Sequence, residues 1–250
     1  MHLDIAVLSE RGGRTENQDA CGHWSGPEGA YFVLCDGAGG HLGGGVAAKL
    51  AVGEALSSLR EARECSGAAV EAAMRCANEA LVREQRAQAQ YAQMRATIVA
   101  LVIDPAQRKA AWGHLGDSRL YCFRDGAIVA QTRDHSVVQS LVDAGYLKPQ
   151  QLRTSPDRSK LLSALGDADQ FDPAIEPKPF AIAPGDRFLL CTDGLWEYVQ
   201  ESEMQQALGE CSAAQDWLRA LERLVLERGT RKHDNYSAVA IWCADSASSV

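Results

Sequence analysis

The chain has 250 residues, 46% hydrophobic and 23% charged, and a net charge of −8. That balance is the ordinary globular one and excludes both a disordered chain and a membrane protein. The acidic excess, with no run of Lys and Arg, argues against binding nucleic acid, because neutralising phosphates takes clustered basic side chains, whereas an acidic field suits divalent cations.

The N-terminal MHLDIAVLSERGGRTENQD has no basic segment followed by an apolar one, and no stretch reaches the length of a membrane span. The expectation is a cytoplasmic protein without membrane contact. Residues 3–8 (LDIAVL) and 31–35 (YFVLC) predict strands, separated by a polar loop carrying RTENQDA. Residues 45–63 and 67–94 carry apolar side chains at helical spacing, such as Ala47, Leu50, Ala51, Ala55 and Leu59, and predict two core-packing helices. From Thr97 the segments TIVALVID, KAAWGHLG, SRLYCFRDG and AIVAQT, with turn signals at Asp104-Pro105 and Asp125-Gly126, predict an antiparallel meander.

Residues 136–166, polar and broken by Pro149 and Pro156, predict a flap standing out from the core. FAIAPGDRFLLCTDG then predicts two strands around a Pro184-Gly185-Asp186 turn, residues 202–228 two helices, and NYSAVAIWC a last strand. The expected fold class is α+β: a four-layer α-β-β-α sandwich of two mainly antiparallel sheets flanked by helix pairs. Residues 1–244 are expected to form one domain, with a frayed tail at 245–250. Eight cysteines without a CxxC pair or zinc spacing read as free thiols, several of them buried, in a reducing compartment.

Five aspartates, Asp19, Asp36, Asp117, Asp193 and Asp234, each stand beside a Gly or close to an Asn at the edge of an apolar run. Alone, each reads as turn chemistry, since Asp-Gly is a common turn dipeptide. Together they read as hard oxygen donors at strand ends, where Gly lets a ligand approach the main chain, and Mg²⁺ and Mn²⁺ prefer such donors.

The motifs, in order, resemble those of the metal-dependent protein phosphatase family of the 2C type, in its compact bacterial form. RTENQDA, DGAGGH, GHLGDSRLY, RDHS, LLSALG, PGDRFLLCTDGLW and HDNYSAVAIW follow the family's sequence of motifs over nearly the whole chain. The resemblance implies a β-sandwich flanked by helices and two core Mn²⁺ or Mg²⁺ ions. It implies that Asp36 bridges them, that Asp193 and Asp234 complete one site, and that Asp19 and the Gly37 carbonyl contribute to the other. Asp117, shared with Asp193, would serve a weaker third ion. Two such cations roughly 3.5 to 4 Å apart can hold a water, lower its pKa and stabilise charge in phosphoryl transfer. Arg14 would grip the substrate phosphate through a bidentate fork that Lys cannot reproduce.

The implied activity is hydrolysis of phosphoserine and phosphothreonine in proteins, opposite a cognate Ser/Thr kinase, by a monomer. Regulation of a type VI secretion apparatus is one setting. Two alternatives stand beside it: a phosphatase of small phosphoesters or of anti-sigma factor antagonists, and a catalytically silent binding module with the same fold. The chain departs from the family at Ala38, where some members carry a His positioned to protonate the leaving alkoxide. His41 is then the candidate proton donor, against the alternative of a helix-start residue. His135 reads as structural, and the thiols are excluded as nucleophiles because no Cys-x₅-Arg loop is present.

Overall fold

The computed structural model describes residues 1–38 and 43–245, so the candidate His41 lies outside the described residues. In chain order the elements are β1 (His2–Glu10), β2 (Ala20–Gly26), β3 (Gly29–Cys35), β4 (Gly37–Ala38), α1 (Gly44–Ala62) and α2 (Gly67–Ala87). Then come β5 (Arg95–Ala96), β6 (Ile98–Asp104), β7 (Lys109–Leu115), β8 (Arg119–Arg124), β9 (Ala127–Gln131) and α3 (Val137–Asp143). The chain closes with β10 (Ala174–Ile175), β11 (Phe180–Ala181), β12 (Arg187–Cys191), α4 (Asp193–Trp196), α5 (Glu201–Glu210), α6 (Ala214–Arg228) and β13 (Tyr236–Ala244).

One sheet runs β1-β13-β12-β8-β9; the other runs β10-β7-β6-β3-β2, with β11 also on β7. Every pairing in them is antiparallel. Alternation along the strands builds the layers, because successive side chains point to opposite faces. Phe32 and Leu34 of β3 meet Leu120, Cys122, Phe188 and Leu190 of the other sheet in a central core. Tyr31, Val33 and Cys35 point outward onto α1 and α2. Tyr121 and Phe123 point the other way, onto Trp217, Leu218 and Leu221 of α6. Both sheets are thus covered on both faces, which is why their central strands read as unbroken apolar runs. The result is the expected α-β-β-α sandwich.

Several elements differ from expectation, among them the short strands β4, β5 and β10. The expected polar loop between the first two predicted strands contains β2, an edge strand held by pairing with β3 from Ala20↔Cys35 to Gly26↔Gly29. The second helix stops at Ala87 rather than near Met94, because Arg95–Ala96 must extend to pair with β4. The Asp193-Gly194 corner is a helical turn, α4, rather than a simple β-turn.

Residues 136–166 hold α3, capped by the Ser136 hydroxyl on the Gln139 amide, and a 3₁₀ turn at Pro149–Gln151. The segment leaves Tyr146 80% and Leu162 49% exposed. Its two ends are drawn together by Val137 N–H to Lys160 O and Leu162 N–H to His135 O.

Candidate active site

Polar side chains and close-packed backbone bring the five aspartates together where the ends of the two sheets meet. At the end of β12 the chain turns directly into α4, and a Cβ on Gly194 would sit 2.0 Å from the Asn235 carbonyl. That contact seats the first turn of α4 against residue 235 and sets Asp193 near Asp234. Asn235 staples the preceding loop in turn: its Oδ1 accepts from the Gln18 amide at 2.8 Å, and its Nδ2 donates to the carbonyls of Arg11 at 2.7 Å and Glu16 at 2.9 Å. Asp19 follows this loop. Its Oδ2 accepts from the Thr192 hydroxyl at 2.9 Å, and that hydroxyl accepts from the Ser237 amide at 3.0 Å.

From the other sheet, the Asp36 amide donates to Thr97 Oγ1 at 3.0 Å while the Thr97 amide donates to the Asp36 carbonyl at 2.8 Å. Thr97 and Ser118 share a buried hydroxyl hydrogen bond of 2.7 Å, which links the Asp36 backbone to the turn holding Asp117. A Cβ on Gly37 would fall 2.1 Å from the Gly44 carbonyl and 2.6 Å from that of Gln18. Only glycine lets these three backbones meet.

The carboxyls of Asp19, Asp36 and Asp193 stand close enough to act on one another electrostatically. Asp19 Oδ1 and Asp193 Oδ1 are buried with no partner. Burial first, then the neighbouring negative charge of Asp234, raises Asp19 to about 6, against its hydroxyl hydrogen bonds. Burial and the surrounding aspartates hold Asp36, Asp117 and Asp193 well above the usual carboxylate range. Clustered carboxylates with orphaned oxygens are costly unless a cation sits among them. The donor set is all oxygen, which fits Mg²⁺ or Mn²⁺ and not a soft metal. Among the described residues no group of three or more His, Cys, Asp or Glu side chains encloses an ion by itself. Carbonyl and water oxygens would have to complete any coordination, as is usual for these cations.

Arg14 is paired with Asp234 at 2.6 Å, and both side chains are largely exposed, at 55% and 43%. Asp117, by contrast, is buried close enough to Asp193 and Asp36 to act on them electrostatically, and its carbonyl is held by the Trp196 indole N–H at 2.9 Å. Arg119, 2% exposed, grips Asp134 with two hydrogen bonds of 2.8 and 2.7 Å and lies 3.5 Å from the Trp196 ring centre. Ser118, through Thr97, and Arg119, through Asp134, brace the chain that follows Asp117.

His135 is wedged against His114, with ring centres 4.6 Å apart. Its backbone joins the Gly116 carbonyl to the Leu162 amide. Burial lowers His114 from 6.5 to about 4, partly offset by its 2.7 Å hydrogen bond to the Arg133 carbonyl. The unfolded chain therefore binds a proton that the native protein refuses. The stability gained from a neutral His114 is complete above pH 6.5 and is lost as pH falls towards 4, on the order of 3 kcal/mol for this group. Urea unfolding at pH 7.5 and pH 5 should show a smaller acid loss in His114→Gln than in the unmodified protein.

Asn235, Thr97 and Thr192 are positioning residues that composition and periodicity did not single out. Asn235 and Thr192 had a signal, since they sit in the HDNYS and CTDGLW motifs; Thr97 had none, because its partners Asp36 and Ser118 lie outside its strand.

The chain belongs to the protein phosphatase 2C family, whose sequence model matches residues 9–233. It is 33% identical over 224 residues to the serine/threonine protein phosphatase PstP of Mycobacterium tuberculosis, covering 88% of this chain and 41% of that relative. The chain thus spans about two fifths of that relative's length. The catalytic domain of PstP in complex with two manganese ions superposes with a TM-score of 0.82 at 30% identity, over 97% of this chain and 99% of that one. PppA, a key regulatory component of T6SS in Pseudomonas aeruginosa, superposes with a TM-score of 0.77 at 30% identity, over 96% and 97%. Among the described residues no helix is long and apolar enough to cross a membrane.

Proposed function

We propose that the chain is a metal-dependent serine/threonine protein phosphatase, acting by direct attack of water on phosphorus without a phosphoenzyme. The observation that carries this reading is the clustering of Asp19, Asp36 and Asp193, of which Asp19 and Asp193 each keep a buried oxygen that no group in the described structure satisfies. Membership of the family and the manganese held by PstP support it.

Two Mn²⁺ or Mg²⁺ ions, when bound, would supply Lewis acidity to the attacking water and to the phosphoryl oxygens. Asp36 would bridge them; Asp193 and Asp234 would hold one, Asp19 and the Gly37 carbonyl the other, and Asp117 with Asp193 a weaker third. Thr192 holds the Asp19 carboxylate and Thr97 the Asp36 main chain through the hydrogen bonds described above, which limits reorganisation during the reaction. Arg14, exposed at the rim beside Asp234, orients the substrate phosphate. Ala38 offers no proton to the departing Ser or Thr oxygen, which leaves His41 or a water for that role.

Arg14→Lys should raise KM for a phosphothreonine peptide by about tenfold with a smaller effect on kcat, because Lys keeps the charge and loses the fork. A phosphothreonine peptide should be turned over faster than a small aryl phosphate; the reverse preference would favour the small-phosphoester alternative. The substrate is a phosphorylated protein, the partner a cognate Ser/Thr kinase, and the setting the cytoplasm of a bacterium, with residues 136–166 as a flap bordering the site. The likeness to PppA supports type VI secretion as the regulated process.

A further inference from the structure

Two turns form the rim beside Arg14. The first, residues 11–14, follows β1; the second, residues 229–234, follows α6 and ends on Asp234. They are built against one another. A Cβ on Gly12, whose φ is +59°, would sit 2.2 Å from the Asp234 carbonyl, and one on Gly13 would sit 2.3 Å from that of Arg231. The Gly13 amide donates to the His233 carbonyl at 2.9 Å, and the Arg14 amide to that of Arg11 at 3.3 Å. Within the second turn the His233 amide donates to the Thr230 carbonyl at 3.1 Å, and its ring Nδ1–H donates to the same oxygen at 2.6 Å.

The interlocked backbones gather Arg11, Arg14, Arg231 and Lys232 on one rim, with all four side chains exposed. Arg14 is committed to Asp234. Among the described residues Arg11, Arg231 and Lys232 form no ion pair, nor do Glu10 and Glu16, the acids on either side of the first turn. Unpaired cations grouped in this way matter in a chain of net charge −8, which repels an anionic peptide at long range. A local positive rim reverses that repulsion where the substrate phosphate must enter. At physiological salt each cation is felt over only about 8 Å, so the rim acts on groups within a few residues of the phosphate.

We propose that Arg11, Arg231 and Lys232 form a subsite that reads anionic groups flanking the phosphorylated Ser or Thr of the substrate protein, whether Asp and Glu side chains or a second phosphate. The inference rests on the phosphatase reading and adds to it which phosphoproteins are preferred. Exposed charge pairs are individually weak, so the preference comes from several acting together and fades with salt.

Initial rates in Mn²⁺ should be compared on three phosphothreonine peptides: one flanked by Asn and Gln, one by Asp and Glu, and one neutral but carrying a second phosphothreonine. At about 50 mM salt kcat/KM per phosphorylated residue should be about five- to tenfold higher for at least one anionic peptide than for the neutral one, and the ratio should fall towards one at about 0.5 M. Arg231→Gln combined with Lys232→Gln should lower the ratio by about threefold or more, through KM rather than kcat, and Arg11→Gln should act in the same direction. Arg60→Gln combined with Arg63→Gln removes as much charge at the far end of α1 from Gly44, about 27 Å along the helix, and should leave the ratio unchanged. A gain on the Asp and Glu peptide assigns the subsite to carboxylates, and a gain on the doubly phosphorylated peptide assigns it to phosphate. Equal rates on all three peptides, a preference that the rim variants keep, or one that both double variants lose alike would overturn the inference while leaving the phosphatase reading intact. No turnover of any of the three in Mn²⁺ would overturn both.

Discussion

Asp36→Asn is expected to lower phosphopeptide turnover by about a thousandfold or more, since the carboxylate read as bridging both ions contributes several kcal/mol to holding charge in the transition state. The same substitution should raise the melting temperature in EDTA. Burial and the neighbouring aspartates push Asp36 well above the usual carboxylate range, so the ionised form costs the folded state free energy that the unfolded chain does not bear. Asparagine removes that cost. Asp19 sets the scale: its rise from 3.8 to about 6 corresponds to roughly 3 kcal/mol. For this group the native protein binds more protons than the unfolded chain between those values. Metal-free stability from Asp19 is therefore highest below pH 4 and is lost as pH rises through about 6. Thermal scans in EDTA and kinetics in Mn²⁺ should move in opposite directions for Asp36→Asn; a loss of both would mean a collapsed site rather than a removed ligand.

Arg119→Met carries the largest expected loss of stability. Its guanidinium and the Asp134 carboxyl are 3% and 2% exposed, and Tyr121 and Glu201 share the same guanidinium. Removing the cation leaves a buried carboxylate unpaired, at a cost of about 3–5 kcal/mol. Urea unfolding measures this. Adding Asp134→Leu should recover much of the loss, because a buried ion pair replaced by apolar groups of similar volume is near neutral, whereas a lone buried charge is not.

The central strands were legible because a strand covered on both faces must be apolar throughout, as YFVLC and FLLC are. The aspartates were legible because each sits in a Gly- or Asn-bearing motif whose local backbone must turn sharply. β2 was not, since its run of small and polar residues shows no apolar alternation, and its Trp24 and His23 find their partners, Tyr31 and Phe32, only once it pairs with β3. α4 was hidden for a similar reason: four residues carry no periodicity, and the turn depends on Gly194 packing on Asn235. The cluster of Arg119, Arg153, Glu201 and Trp196, in which both guanidinium groups reach Glu201 and the Trp196 ring, joins residues far apart in the chain, so neither spacing nor composition hints at it. Arg14 was read from its motif as a phosphate group's partner; its contact with Asp234, more than two hundred residues away, needed coordinates.

Hydrolysis of a phosphothreonine peptide should be followed in Mn²⁺, in EDTA and, in Mn²⁺, for Asp193→Ala. Turnover in Mn²⁺, lost on chelation, restored by re-added Mn²⁺ and absent from the variant is the expected pattern. Turnover that survives both chelation and the substitution would contradict a metal-centred phosphatase, and a folded, Mn²⁺-loaded protein with no turnover would point to the silent binding module.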